Sequence, residues 1–152
     1  MTLGKVHLSL TERAAKQEHF QTFLGELHQK IEEMRRKKSI PQVWLFLDNC
    51  SIHTANNTKI AADSYGFKVL FNQSYRPDLN GIEGLWAHMK RLYRKKVAGF
   101  KAKKIKWDQY DLVREVYQEV SDEDARKEAE RGLRNIMKIP SSQVGNLQTQ
   151  MN

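Results

Sequence analysis

The sequence predicts an α/β protein with helices flanking a partly parallel sheet, and three observations carry that prediction. Val43-Trp44-Leu45-Phe46-Leu47 is apolar throughout and Phe67-Lys68-Val69-Leu70-Phe71 nearly so, as in strands covered on both faces. Apolar residues recur at helical spacing before, between and after these runs. The segment joining the two runs is itself helical in pattern, and a helical crossover is what joins parallel neighbours.

Taken in order, Lys5–Leu10 alternates weakly and predicts a short first strand. Phe20, Phe23, Leu24, Leu27, Ile31 and Met34 then mark one face of a long helix. It ends in Arg35-Arg36-Lys37-Lys38, cations suited to the negative helix end. Ser39-Ile40-Pro41 breaks it, since proline cannot continue the hydrogen-bond ladder. After the first apolar strand, Thr54–Tyr65 reads as a short helix closed by Gly66, and Phe67–Phe71 is the second strand. Asn80 opens a helix with Ile82, Leu85, Trp86, Met89 and Leu92 on one side. A final helix or helix pair covers Trp107 to Met137, using Val113, Val116, Tyr117, Val120, Leu133 and Ile136. Trp44 and Trp86 fall on apolar faces and are expected in the core. The organisation expected is one domain over 1–137 and a polar, flexible tail over 138–152.

Composition narrows the class. With 152 residues, 39% of them hydrophobic, the chain can build a core and is unlike a disordered polymer. No apolar run nears the roughly 20 residues of a membrane span, and the first residues lack a signal peptide's apolar stretch. One cysteine, Cys50, excludes a disulfide framework and any cysteine-based zinc cluster, and suits a reducing compartment. The net charge is +8, but it is unevenly placed. Residues 84–106 hold nine cations and no anion, whereas 107–152 hold six cations and nine anions. Lys90, Arg91, Arg94, Lys95 and Lys96 continue the helix after Trp86, and Lys101, Lys103, Lys104 and Lys106 follow Gly99. Such a window repels itself and favours a polyanion. With no recognition-helix module visible, it would position DNA rather than read its sequence. A solvated surface or a localisation signal is the alternative.

Two acids stand at strand and helix ends. Asp48 follows the first apolar strand in Leu47-Asp48-Asn49-Cys50-Ser51-Ile52-His53, and carboxyl ends of strands are where open α/β sheets place ligands. Glu83 lies in Tyr75-Arg76-Pro77-Asp78-Leu79-Asn80-Gly81-Ile82-Glu83-Gly84-Leu85-Trp86, with 34 residues between the two acids. These words resemble the mariner-type DDE transposases, whose ribonuclease-H-like core has a strand ending in D-N-x-x-x-H, then a loop reading roughly Y-S-P-D-L-N-P-I-E-x-x-W. The 34-residue gap is characteristic of that family, and the resemblance is specific over 43–97.

The resemblance implies a truncated ribonuclease-H-like core, a mixed sheet with flanking helices, followed by C-terminal helices. It also implies Asp48 as the second and Glu83 as the third acid of a site holding two divalent ions, Mg²⁺ or Mn²⁺, for in-line phosphoryl displacement. The family's first acid belongs to an upstream strand, and residues 1–47 contain no aspartate; their glutamates Glu12, Glu18, Glu26, Glu32 and Glu33 sit in or near the first long helix. Gly81 stands where the family has proline. The acidic site therefore reads as incomplete, with Asp48 and Glu83 as vestigial candidates and no cofactor required.

Structural roles compete for the same residues. Asn80-Gly-Ile-Glu83 has the form of a capping box, and Asp48 suits either acceptance from amides of the next segment or a vestigial metal role. His53 reads as a structural contact and Cys50 as a packed thiol.

The function expected is that of a catalytically inactive, transposase-derived DNA-binding or scaffolding subunit in a nuclear DNA-acting complex, for example a DNA adenine methyltransferase assembly. It would hold a protein partner, because a core without its first hairpin leaves a sheet edge to cover, and DNA through 90–106. Two alternatives remain: a DDE endonuclease whose first acid comes from another chain or segment, and a protein-interaction module without DNA affinity.

Overall fold

The structure, a computed structural model, describes residues 4–12 and 14–139. Helix α1 (Gln17–Arg35) leads into strand β1 (Trp44–Leu47). The short helices α2 (Ser51–Thr54) and α3 (Asn56–Ser64) return the chain to strand β2 (Lys68–Phe71). A single 3₁₀ turn, Pro77–Leu79, precedes α4 (Ile82–Ala102), and α5 (Gln109–Glu119) and α6 (Asp122–Met137) complete the order. β1 and β2 pair in parallel, Trp44 opposite Lys68 and Leu47 opposite Phe71. Among the described residues this pair is the whole sheet, narrower than a mixed sheet.

Strand alternation sorts the two faces of the pair. Leu45 and Val69 lie against the cluster of Leu24, Leu27, Ile31, Ala62 and Phe67, which joins α1 and α3 to the sheet. Phe46 and Leu70 face the other way, onto Leu79, Ile136 and Ile139. A separate cluster, Met89 with Leu112, Val116 and Val120, welds α4 to α5. The α3–β2 link turns at Gly66, whose φ of +70° is readily adopted only without a Cβ.

Several expectations change. The helix expected over Thr54–Tyr65 is two helices, because Ala55 is extended (ψ 141°) between α2 and α3. Segment 5–10 forms no strand. It is tied by side chains instead: Lys5 Nζ donates to the Tyr117 carbonyl at 2.7 Å, His7 Nε2 meets Glu26 Oε2 at 2.7 Å, and Val6 packs on the α1 cluster. Trp44 is 57% exposed and Trp86 39% exposed, so neither is core. Both line a groove of about 650 Å³ along β1, with segment 4–9 on its wall. A two-stranded sheet has no third strand to bury that side, which is also why β1 is only half-buried. Leu133, at 49% exposure, faces outward, whereas Ile139, expected in the tail, is buried against Leu79. Residues 140–152 of the expected tail lie outside the described residues.

Candidate functional site

The carboxyl end of β1, the loop after β2 and the first turn of α4 meet around an opening of about 360 Å³. Asp48 and Glu83 both line it, and among the described residues they are its acidic side chains. The strand pair sets this geometry. The Asn72 amide donates to the Leu47 carbonyl at 2.7 Å, extending the parallel ladder one residue past the strands. Asn49 Nδ2 donates to the Asn72 carbonyl, and Asn72 Nδ2 to the Arg76 carbonyl at 2.8 Å. Arg76 in turn grips Asp78 with two bonds of 2.8 Å, and Asn135 of α6 donates to the Asp78 carbonyl at 2.8 Å. Neighbouring Tyr75 takes φ +60° and is wholly exposed at the mouth. Asn49, Asn72 and Arg76 had no role in the sequence reading, though all lie within the two motif words or between them. Asn135, 57 residues away from its acceptor, carries no local signal at all.

Asp48 is held by its own turn. Its Oδ1 accepts from the Cys50 amide at 3.1 Å and lies 2.7 Å from His53 Nδ1. Burial pushes its carboxyl pKa up, but the Cys50 amide and side chain and the His53 ring together outweigh this and leave it below the ordinary carboxylate value. His53 packs its ring on Phe20 at 4.3 Å between centroids, consistent with a structural contact. Cys50 is exposed rather than packed, because it is the residue capping α2 at the mouth. Partial burial and the nearby Asp48 carboxylate push its thiol pKa up.

The capping box at Asn80–Glu83 does not form. Gly81 is the cap residue of α4, and the Asn80 side chain instead accepts from the Ile82 amide at 3.3 Å in a local turn. The Glu83 side chain therefore has no hydrogen-bond or ion-pair partner among the described residues. Gly81 lies so close to α6 that a Cβ there would overlap the Glu128 carbonyl and come within 2.7 Å of the Ala129 Cα. A proline ring would meet the same backbone, which accounts for glycine at this place.

Beyond Glu83, α4 carries the basic window. Lys90, Arg91, Arg94 and Lys95 are exposed, and their i, i+4 spacing sets 90 with 94 and 91 with 95 in one stripe. None of the four has an ion-pair partner among the described residues. At 1.5 Å per residue this stripe runs about 10–18 Å from Glu83. Lys96 points elsewhere: its ammonium pairs with Glu115 and Glu119 of α5, both at 2.9 Å. Lys101 lies in the last turn of α4, and Lys103, Lys104 and Lys106 follow it, all exposed.

Asp48 and Glu83 alone supply fewer oxygens than a two-ion centre takes. Each hard dication takes about six or more oxygens, and a paired site needs acids bracketing both ions.

Residues 3–104 match the family described as DDE superfamily endonuclease. No curated protein matches the sequence. Two solved structures of the Mos1 transposase catalytic domain with raltegravir share the fold, one with Mn and one with Mg. The TM-scores are 0.57 and 0.58 respectively, each at 19% identity over 88% of this chain and 69% of that one.

Proposed function

Since this chain belongs to the DDE superfamily of endonucleases, we propose that it is a transposase-derived subunit that grips DNA without cutting it. The observation carrying this reading is the division of labour along α4. Its first turn contributes one of only two acidic side chains lining the opening among the described residues. Its outer stripe offers Lys90, Arg91, Arg94 and Lys95 without internal partners. Catalysis by in-line displacement needs charge neutralisation at both the attacking and leaving oxygens, and the opening is poor in ligands for it. Phosphate contact needs only exposed cations, released counterions and a surface that admits the duplex.

The open flank of β1, with Trp44 and Trp86 half-exposed beside it, supports a protein partner in the same assembly. A nuclear DNA-modifying complex, such as one methylating adenine, is the setting proposed.

The test is DNA affinity against salt for the chain and a Lys90→Gln, Arg91→Gln, Arg94→Gln, Lys95→Gln variant. If all four touch phosphate, the slope of log K against log salt should shrink by about 3.6, at about 0.9 per neutralised phosphate. An unchanged slope removes the DNA-binding claim.

A second reading, a nuclease completed by an acid from another chain, is favoured by the unpartnered Glu83 carboxylate. DNA nicking dependent on Mg²⁺ or Mn²⁺ and lost in both Asp48→Asn and Glu83→Gln would replace the first reading with this one.

A further inference from the structure

At the edge of the opening, a thiol and an imidazole stand beside the Asp48 carboxylate. Asp48, Cys50 and His53 place a carboxylate oxygen, the thiol sulfur and an imidazole nitrogen all within 4.8 Å of one another. We propose that these three side chains form a Zn²⁺ site, with water as the fourth ligand.

The local fold builds it. Cys50 is the cap residue of the one-turn helix α2, and His53 is three residues on, so both side chains rise on the same side. Asp48 reaches back over the cap, where the Cys50 amide holds its Oδ1 at 3.1 Å. The imidazole is fixed from behind by Phe20 at 4.3 Å between ring centroids. The lone cysteine rules out a multi-cysteine cluster, but a mixed sulfur, nitrogen and oxygen set with an open position is a zinc donor set.

Dimensions agree. With metal–ligand lengths of about 2.0–2.3 Å, ligands around tetrahedral zinc lie roughly 3.3–3.8 Å apart. Asp48 Oδ1 and His53 Nδ1, now 2.7 Å apart, must open slightly to admit the ion, and the sulfur must close by at most about 1–1.5 Å.

On binding, the thiol loses its proton to solvent and the imidazole moves its own from Nδ1 to Nε2, leaving both donor atoms as lone-pair ligands. The donor set also decides the metal. A thiolate and an imidazole favour zinc over Mg²⁺ or Mn²⁺, which prefer oxygen. Zinc here would occupy Asp48, one of the two carboxylates at the opening.

The experiment uses the full chain, with Zn²⁺ alone in a chelator competition and Co²⁺ as a spectroscopic stand-in. One equivalent of Zn²⁺ should bind, and Co²⁺ should show tetrahedral visible bands with a thiolate charge-transfer band in the near ultraviolet. Cys50→Ser, His53→Gln and Asp48→Asn should each weaken Zn²⁺ binding by about tenfold or more, whereas Glu83→Gln should leave it unchanged. Far-ultraviolet circular dichroism of each variant separates ligand loss from unfolding. Octahedral Co²⁺ without the thiolate band, or unchanged Zn²⁺ affinity in folded Cys50→Ser, overturns the site. Salt-dependent DNA affinity, read on the same samples, reports independently on the proposed function.

Discussion

The same substitution, glycine to alanine, should act with opposite sign at two helical positions of this protein. In α4, a Cβ added at Gly99 meets nothing within 4 Å. Gly99→Ala should therefore show the ordinary helix-interior gain of about 1 kcal/mol over glycine. In α6, a Cβ added at Gly132 would sit 2.7 Å from the Gly81 amide nitrogen and 2.8 Å from the Leu79 carbonyl oxygen. Both neighbours are backbone of the turn that enters α4, so no rotamer change relieves the overlap; the helix or the turn must move. Overpacking of this kind costs about 1–3 kcal/mol, which offsets or exceeds the propensity gain. Gly132→Ala should thus be neutral to about 2 kcal/mol destabilising, and the two variants should differ by about 1–3 kcal/mol. Urea unfolding of both variants beside the parent measures that difference directly. Equal stabilisation by the two alanines would refute the close crossing of α6 over Leu79–Gly81, and with it the account of why glycine stands at 81.

Two further outcomes follow from local interactions. Asp108 accepts from the Tyr110 and Asp111 amides at 2.8 and 2.9 Å at the start of α5. Asp108→Ala should therefore lower stability by about 1 kcal/mol in the same unfolding experiment, and no loss would sink the cap assignment. Burial, with a smaller contribution from Asp122, raises the Tyr117 phenol pKa. Because the unfolded phenol ionises first, its stabilising contribution is complete below about pH 10 and is lost as pH rises through the folded value. The alkaline fall in stability should be shallower in Tyr117→Phe than in the parent, and identical limbs would count against the raised phenol pKa.

Most elements were legible because each rests on local pattern; the weakly alternating segment 5–10, which forms no strand, and the break at Ala55 were not. The Phe20–Met34 periodicity became α1, the apolar runs became β1 and β2, and the crossover between them required the parallel pairing observed. The two motif words also placed Asp48 and Glu83 at one opening. Burial was less legible. Trp44 and Trp86 have core-like sequence surroundings, yet both stand at the uncovered flank of β1, and whether a flank is covered depends on distant chain. The basic window divides for a similar reason. Lys96 resembles its neighbours in sequence but meets Glu115 and Glu119 across the α4–α5 contact.

By itself, the sequence determined the α/β class, the strand ends that carry Asp48, the helix that carries Glu83 and the cationic stripe behind it, since periodicity, apolar runs and charge are properties of neighbouring residues. Only the tertiary structure decided how those groups are held. α6 crosses so close to Gly81 that no Cβ fits there, Asn135 reaches the Asp78 carbonyl from 57 residues away, and the turn at Cys50 brings a carboxylate, a thiol and an imidazole together. The first two outcomes depend on backbone approach between segments far apart in the chain, and the third on the exact course of one turn, where an ångström decides whether side chains are bonded, free or able to share an ion.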